Sequence, residues 1–136
     1  MPVDLATLIP HRVPMRFIDA LIECTDTTAT ATAFFSAAHF AVSDGAVLET
    51  ALVECVAQTV AAALGQRAKT HGQSGGAANG MLVTVTHFQI QSRPLAEKEL
   101  RIEIRELKRL GQMLLISGSI SCEGQVIASG ELTLYA

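Results

Sequence analysis

Hydrophobic and polar positions follow three patterns along this chain. From Thr27 to Phe35 (TTATATAFF) β-branched Thr alternates with Ala, and this period of two predicts a strand. The segment from Met15 to Cys24 predicts another strand with bends. From Ala46 to Gly65 the apolar run leaves no wide polar face, which predicts one long helix buried nearly all round. Alternation then returns in Met81–Gln91, Glu99–Leu110 and Gln112–Ala136.

Short turn signals complete this reading. Asp4 is a candidate N-cap for a single helical turn within Val3–Ile9. Ser43-Asp44-Gly45 predicts a turn and offers an N-cap for the long helix, and Gly65 is its expected end. The glycine-rich stretch from His71 to Gly80 predicts a flexible loop, and Gly111 and Glu123-Gly124 predict tight turns in a three-stranded meander.

The order of elements predicts the architecture. Two strands, one helix and four more strands fit an antiparallel sheet curled around a single helix, because parallel strands would need a helix between them. From Leu100 to Arg105 apolar and charged residues alternate, as in a sheet with one face in water. We therefore expect one α+β domain over residues 1–136.

Three polar residues interrupt the long helix. Thr50, Glu54 and Gln58 are spaced by four residues and so lie on one side of it. A carboxyl group withdrawn from water holds a proton more readily, which is how enzymes make proton donors, so Glu54 is a candidate catalytic residue. The alternative is that Glu54 reaches solvent through a groove or caps a neighbouring backbone. A carboxylate at mid-helix also argues against a membrane span.

Composition narrows the functional classes. The net charge of -3 argues against a nucleic-acid binder. The 49% hydrophobic content, without a membrane span, predicts apolar surface buried between subunits. Cys24, Cys55 and Cys122 have no metal-ligand spacing and are expected to be reduced thiols, and no export signal is visible, so we expect a cytoplasmic protein.

Three motifs resemble the hotdog-fold 3-hydroxyacyl-acyl-carrier-protein dehydratases. They are Leu8–Met15 (LIPHRVPM) followed by Asp19, the pair His39-Phe40 before the helix, and Glu54–Gln58 (ECVAQ) within it. The chain is most similar to the dehydratase-like hotdog proteins of aryl polyene pigment synthesis. This resemblance implies a hotdog fold, with the sheet wrapped around the helix of about residues 46–65.

The resemblance also implies a mechanism. A His and an acidic residue from opposite subunits of a homodimer eliminate water from a 3-hydroxyacyl thioester carried by acyl carrier protein or coenzyme A. Carried over, His39 is the general base at C2 and Glu54 protonates the leaving hydroxyl. Backbone amides near Leu48 and Glu49 would polarise the thioester carbonyl, and Gln58 would orient Glu54. Neither a metal nor an organic cofactor is implied.

The chain departs from this family pattern near the predicted site. Two prolines are missing around His39, and Glu49 stands at the position of the helix-start glycine, where a Cβ crowds an approaching thioester. Two alternatives therefore stay open. One is a hotdog thioesterase in which Glu54 activates water, and the other is a non-catalytic acyl-binding or partner subunit.

Two further histidines and a basic region are more simply explained by structural roles. His87 is expected on the solvent face of a strand, and His11 is expected to hold the N-terminal turn. An acidic carrier protein could dock on a basic region, which comprises Arg93, Lys98, Arg101, Arg105, Lys108 and Arg109. The glutamates interspersed in this region favour the alternative, a mixed strand face exposed to solvent.

Overall fold

The computed structural model describes residues 4–9, 15–72 and 82–135. Within these ranges a short 3-10 turn, Leu5–Thr7, precedes eight strands and one helix. The elements are β1 (Ile18–Cys24), β2 (Thr28–Phe34), β3 (Val42–Ser43), β4 (Ala46–Val47), α1 (Glu49–Thr70), β5 (Leu82–Ile90), β6 (Glu99–Leu110), β7 (Met113–Cys122) and β8 (Gln125–Tyr135). The predictions for His11 and for the loop beyond Gly72 lie outside the described residues.

Six strands form one antiparallel sheet in the order β1-β2-β6-β7-β8-β5, with α1 packed against it. Side chains along each strand alternate between the face of the sheet that packs on the helix and the opposite face. Ala29, Ala31 and Ala33 pair with Ile104, Ile102 and Leu100, and all six are at most 5% exposed. The small alanines let the helix approach the sheet closely. The predicted α+β architecture and the β6-β7-β8 meander are thus confirmed.

The helix boundaries differ from the prediction at both ends. Ala46 and Val47 pair with Val42 and Ser43 as a two-stranded ribbon, so α1 begins at Glu49. The ribbon turns through Asp44 and Gly45 at φ of 55° and 76°, which confirms the predicted turn. Its Ser and Asp do not cap the helix, because the N-cap is Leu48 without a side-chain hydrogen bond.

Gly65 lies inside the helix, which continues to Thr70. The residue is buried, and a Cβ there would stand 3.0 Å from the carbonyl oxygen of Leu8. Glycine therefore serves close packing against the N-terminal turn instead of ending the helix. Asp4 caps that turn as predicted, its side chain accepting a hydrogen bond from the Ala6 N–H.

Across the described ranges, no helix is long and apolar enough to span a membrane.

Candidate active site

Gln58 is the last residue of the predicted helix motif Glu54–Gln58 and is 1% exposed. Its Oε1 accepts hydrogen bonds from the N–H of Phe17 at 2.8 Å and of Ile18 at 3.4 Å. Its Nε2 donates to the carbonyl of Met15 at 2.9 Å and to Oε2 of Glu54 at 3.0 Å. The predicted hydrogen bond between Gln58 and Glu54 is therefore present.

These four hydrogen bonds use the full capacity of the carboxamide. Because two backbone N–H groups hold its oxygen, the amino group must face Glu54, and Oε2 of Glu54 is an acceptor. Gln58 thus joins the chain leading into β1 to the Glu54 carboxyl group.

His39 lies in a tight turn between β2 and β3. Its N–H donates to the carbonyl of Ser36 at 3.0 Å, and its own carbonyl accepts from the Val42 N–H at 3.0 Å. The Ala41 N–H donates to Nδ1 of the ring at 2.9 Å. The turn therefore fixes both the backbone and the ring of His39.

Three aromatic rings surround the His39 side chain. Phe35 and Phe17 meet it edge-on, with centroids 5.1 and 5.6 Å away, and Phe40 stacks on it at 4.6 Å. Phe17 also carries one of the N–H groups bound by Gln58. Packing and hydrogen bonding thus connect the surroundings of His39 to those of Glu54 within one subunit.

The start of α1 carries the predicted carbonyl-polarising amides. The Leu48 N–H donates to the carbonyl of Ala41 at 2.8 Å, so this amide is already paired and does not serve a thioester. The first amides inside a helix have no intrahelical acceptor, and within the described ranges those of Glu49 and Thr50 have no other hydrogen-bond partner. The donors available here are therefore one residue further along than predicted.

A family model for the ApeP-like dehydratases matches residues 3–136. The chain belongs to this family. Solved structures that share its fold include the following three. The first is the dehydratase heterocomplex ApeI:P from Xenorhabdus doucetiae, with a TM-score of 0.82, 21% identity and coverage of 98% of this chain and 90% of that one.

The other two structures are more distant. The HP0420 homologue from Helicobacter felis has a TM-score of 0.71 and 12% identity, covering 96% of this chain and 85% of that one. A hypothetical thioesterase with coenzyme A from Streptococcus pneumoniae TIGR4 has a TM-score of 0.64 and 9% identity, covering 85% of each chain. No curated protein matches the sequence. The family match favours a dehydratase over the thioesterase alternative.

Asp19 of this dehydratase was noted in the sequence only as part of a motif. It lies at a bulge of β1, where the register with β2 shifts. Partial burial raises the pKa of its carboxyl group, while a hydrogen bond from the Phe34 backbone and the charges of Arg16 and His39 oppose that shift. Asp19 is therefore within electrostatic range of His39, which the spacing of the two residues did not reveal.

The basic region of this dehydratase is divided among separate roles. Arg93 donates to the carbonyls of Ser43, Ala46 and Val47 at 2.7 to 2.9 Å and so holds the β3-β4 ribbon. Lys98 pairs with Glu123 at 3.1 Å. Arg101 and Arg109 also have acidic partners. These contacts favour the reading of a mixed, solvated strand face.

His87 is exposed and adopts a φ of 53° at a bulge in β5. The expectation of a solvent-facing side chain is thus met, although the strained backbone was not foreseen. In the parts of the chain that the structure describes, no three His, Cys, Asp or Glu side chains form a group able to hold a metal ion.

Proposed function

We propose that this dehydratase removes water from 3-hydroxyacyl thioesters carried by acyl carrier protein and releases trans-2-enoyl thioesters. The observation that carries the proposal is the Glu54 carboxyl group, which a fully buried Gln58 holds at 3.0 Å in a chain of a dehydratase family. Such an arrangement keeps a proton-transfer group in one orientation, as elimination requires.

We propose that His39 of one subunit and Glu54 of another form each site. Two observations support a shared site. Phe40, which stacks on His39, is 56% exposed, and so is Met15, whose carbonyl is bound by Gln58. Large apolar side chains exposed beside two candidate catalytic residues suit a surface that a second subunit covers.

The edge strand β5 supports the same dimer. β5 and β1 are the two edges of the sheet. β1 has two register shifts and the charges of Asp19 and Glu23, whereas β5 has one bulge, at His87, and carries no Lys, Arg, Asp, Glu or Pro. Val85 on β5 is 41% exposed. An edge without charged residues or proline is suited to pairing with the β5 strand of a second copy.

In this reading the thioester carbonyl lies near the start of α1. The N–H groups of Glu49 and Thr50 are donors for the oxygen on which negative charge builds as the C2 proton leaves. The proposed chemistry needs no metal or organic cofactor. Coenzyme A thioesters are the alternative substrates, because the reacting atoms are the same.

The test is incubation of the purified protein with a short 3-hydroxyacyl carrier protein, followed by mass spectrometry. We expect the wild-type protein to remove one water from the substrate, and the His39→Ala and Glu54→Gln variants to remove none. Release of free acid would instead indicate a thioesterase. An unchanged substrate, with the acyl carrier protein still bound, would indicate a non-catalytic subunit.

Subunit complementation tests the shared site. The His39→Ala and Glu54→Gln variants are each inactive in this scheme, but a mixed dimer contains one complete pair. Coexpressed variants should therefore recover about half the activity per mixed dimer, relative to the two sites of the wild-type dimer. No recovery would mean that both residues act within one subunit.

The structural neighbour from Xenorhabdus doucetiae is a heterocomplex, and this supports a second form of the proposal. The second subunit would then be another hotdog chain that contributes the complementary residue. Native mass spectrometry of the protein isolated from its own cells distinguishes the two forms, because a heterodimer has a mass different from twice that of this chain.

A further inference from the structure

A short segment between β5 and β6, residues 93–97, holds the loop that carries His39. This loop leaves β2, turns at His39 and passes through the β3-β4 ribbon to α1. The N–H of Val47, in the ribbon, donates a hydrogen bond to the carbonyl of Pro94 at 2.9 Å. The two parts of the chain are therefore joined through their backbones, and side chains at both ends of the segment add to this contact.

Arg93 holds the end of the loop that leads to α1. Its Nε donates to the carbonyl of Val47 at 2.9 Å, and its Nη2 donates to the carbonyls of Ser43 and Ala46 at 2.7 and 2.8 Å. The guanidinium group is planar and rigid, so it fixes these carbonyls relative to one another. The chain between the His39 turn and the helix is thus held by one side chain.

Glu97 holds the end of the loop that leaves β2. Its N–H donates to the carbonyl of Phe35 at 2.9 Å, and its Oε2 accepts from the N–H of Ala37 at 2.6 Å. Ser36 lies between these two contacts, and its carbonyl accepts from the His39 N–H at 3.0 Å. Glu97 therefore binds the chain on both sides of the residue to which the His39 turn is anchored.

The backbone of Glu97 indicates that its side chain is needed at this position. Its φ is 68°, in the left-handed region where a Cβ is unfavourable and glycine is the usual residue. A glutamate gives no advantage to this backbone, but its carboxylate forms a charge-assisted hydrogen bond with the Ala37 N–H. Strained residues held by their surroundings are frequent at functional sites.

We infer that Glu97 is a positioning residue for His39, which it holds through the Ala37 backbone while Arg93 holds the other end of the same loop. This inference rests on the proposed dehydration. A displacement of about 1 Å at a reacting group can lower the rate by about 10²-fold. A loop bound at both ends keeps His39 in place when a second subunit and the substrate approach.

Two substitutions separate the role of the carboxylate from that of the backbone. Glu97→Gln keeps an oxygen that accepts from the Ala37 N–H. Glu97→Gly removes this acceptor but adopts the left-handed conformation without steric cost, so it should unfold at a temperature close to that of the wild type. A purely structural role predicts that activity follows stability, whereas the positioning role predicts a stable Glu97→Gly protein with low activity.

Glu123 provides the matched control. It has a φ of 53° in the turn between β7 and β8, and its carboxylate pairs with Lys98 at 3.1 Å. Glu123→Gly makes the same chemical change in the same backbone region, at a residue that does not hold the His39 loop. Effects of the lost charge or of added glycine flexibility should therefore appear in both glycine variants.

Steady-state kinetics with a short 3-hydroxyacyl carrier protein test the role. We expect Glu97→Gly to lower kcat by about tenfold or more with KM within about twofold of wild type. Glu97→Gln and Glu123→Gly should keep kcat within about threefold. A folded Glu97→Gly with wild-type kcat, or a Glu97→Gln that is as slow, would overturn the inference. A rise in KM alone would make Glu97 a substrate contact and would overturn it too.

NMR of the His39 ring protons tests the same contact without substrate. His39→Gln identifies these signals among the four histidines. Three phenylalanine rings stand with centroids 4.6 to 5.6 Å from the His39 ring, so a displaced ring changes its chemical shifts. We expect changed signals in Glu97→Gly and wild-type signals in Glu97→Gln and Glu123→Gly. Unchanged signals in Glu97→Gly would refute the inference. A wild-type protein without water loss would refute the proposed function and leave the NMR result intact.

Discussion

Gln58 donates a hydrogen bond to the carboxyl group of Glu54 at 3.0 Å, from a position that is 1% exposed. The same carboxamide binds backbone groups of Met15, Phe17 and Ile18. One side chain therefore positions the candidate catalytic acid and also attaches the segment before β1 to the helix. Activity and stability should depend on it together.

Gln58→Leu should destabilise the fold by about 3 kcal/mol, because it leaves buried backbone N–H and C=O groups without partners. Urea unfolding followed by circular dichroism measures this loss. Thr59→Val is the matched control, since buried Thr59 makes only a local bond to the Cys55 carbonyl. We expect about 1 kcal/mol or less from the control. Equal losses in both variants would show that the four hydrogen bonds contribute little.

Two glycines pair across β7 and β8, and their surroundings predict which of them tolerates substitution by alanine better. A Cβ on Gly130 would lie 2.5 Å from the Cα of Phe88, whereas a Cβ on Gly118 would lie 2.6 Å from a Val56 methyl group. A side chain moves more easily than a backbone. Gly130→Ala should therefore lower the unfolding free energy by about 3 kcal/mol and Gly118→Ala by less. The reverse order in urea titrations would contradict this packing.

Val85→Lys should weaken the proposed β5-β5 pairing, because a lysine at an edge strand opposes strand addition. Light scattering on a sizing column should show a shift toward the monomer. Val126→Lys is the control: Val126 is 48% exposed on β8, which already has two neighbours. A dimer that survives Val85→Lys unchanged would place the interface elsewhere.

The three thiols should differ in reactivity. Cys55 is 0% exposed, and burial raises the pKa of its thiol well above the usual range. Since the thiolate is the reactive form, Cys55 should not react with a thiol reagent until the protein unfolds. Cys24 and Cys122 are partly exposed. A native protein that loses all three thiols at one rate would contradict the buried position of Cys55.

Asp19 should make stability depend on pH. Its pKa in the folded protein is raised from 3.8, mainly by burial, so the folded state binds more protons than the unfolded state in that range. Stability therefore falls as pH rises from the unfolded value through the folded one. Asp19→Asn should flatten this part of the curve. In thermal unfolding, the stability of the variant relative to the wild-type protein should be higher at pH 7 than at pH 3. An unchanged pH profile would exclude Asp19 as its source.

Much of the fold was accessible from local patterns. The Thr/Ala alternation of β2 and the charge alternation of β6 depend only on which side chains face water, so both strands could be predicted. The pairing of Ala29, Ala31 and Ala33 with apolar residues of β6 is visible only in the structure. The helix ends were not accessible in this way. Ala46 and Val47 continue the apolar run of the helix, but Arg93 binds the carbonyls around them from a distant segment.

The sequence by itself determined the architecture and the candidates His39, Glu54 and Gln58, because spacing along a helix and residue type are local properties. Only the tertiary structure decided which hydrogen bonds surround these groups. It paired Leu48 with Ala41, directed the Ala41 N–H to His39, and saturated Gln58 with the chain before β1. Hydrogen bonds between distant segments depend on how the backbone folds back on itself, so they determine which polar groups remain available in ways that no local pattern encodes.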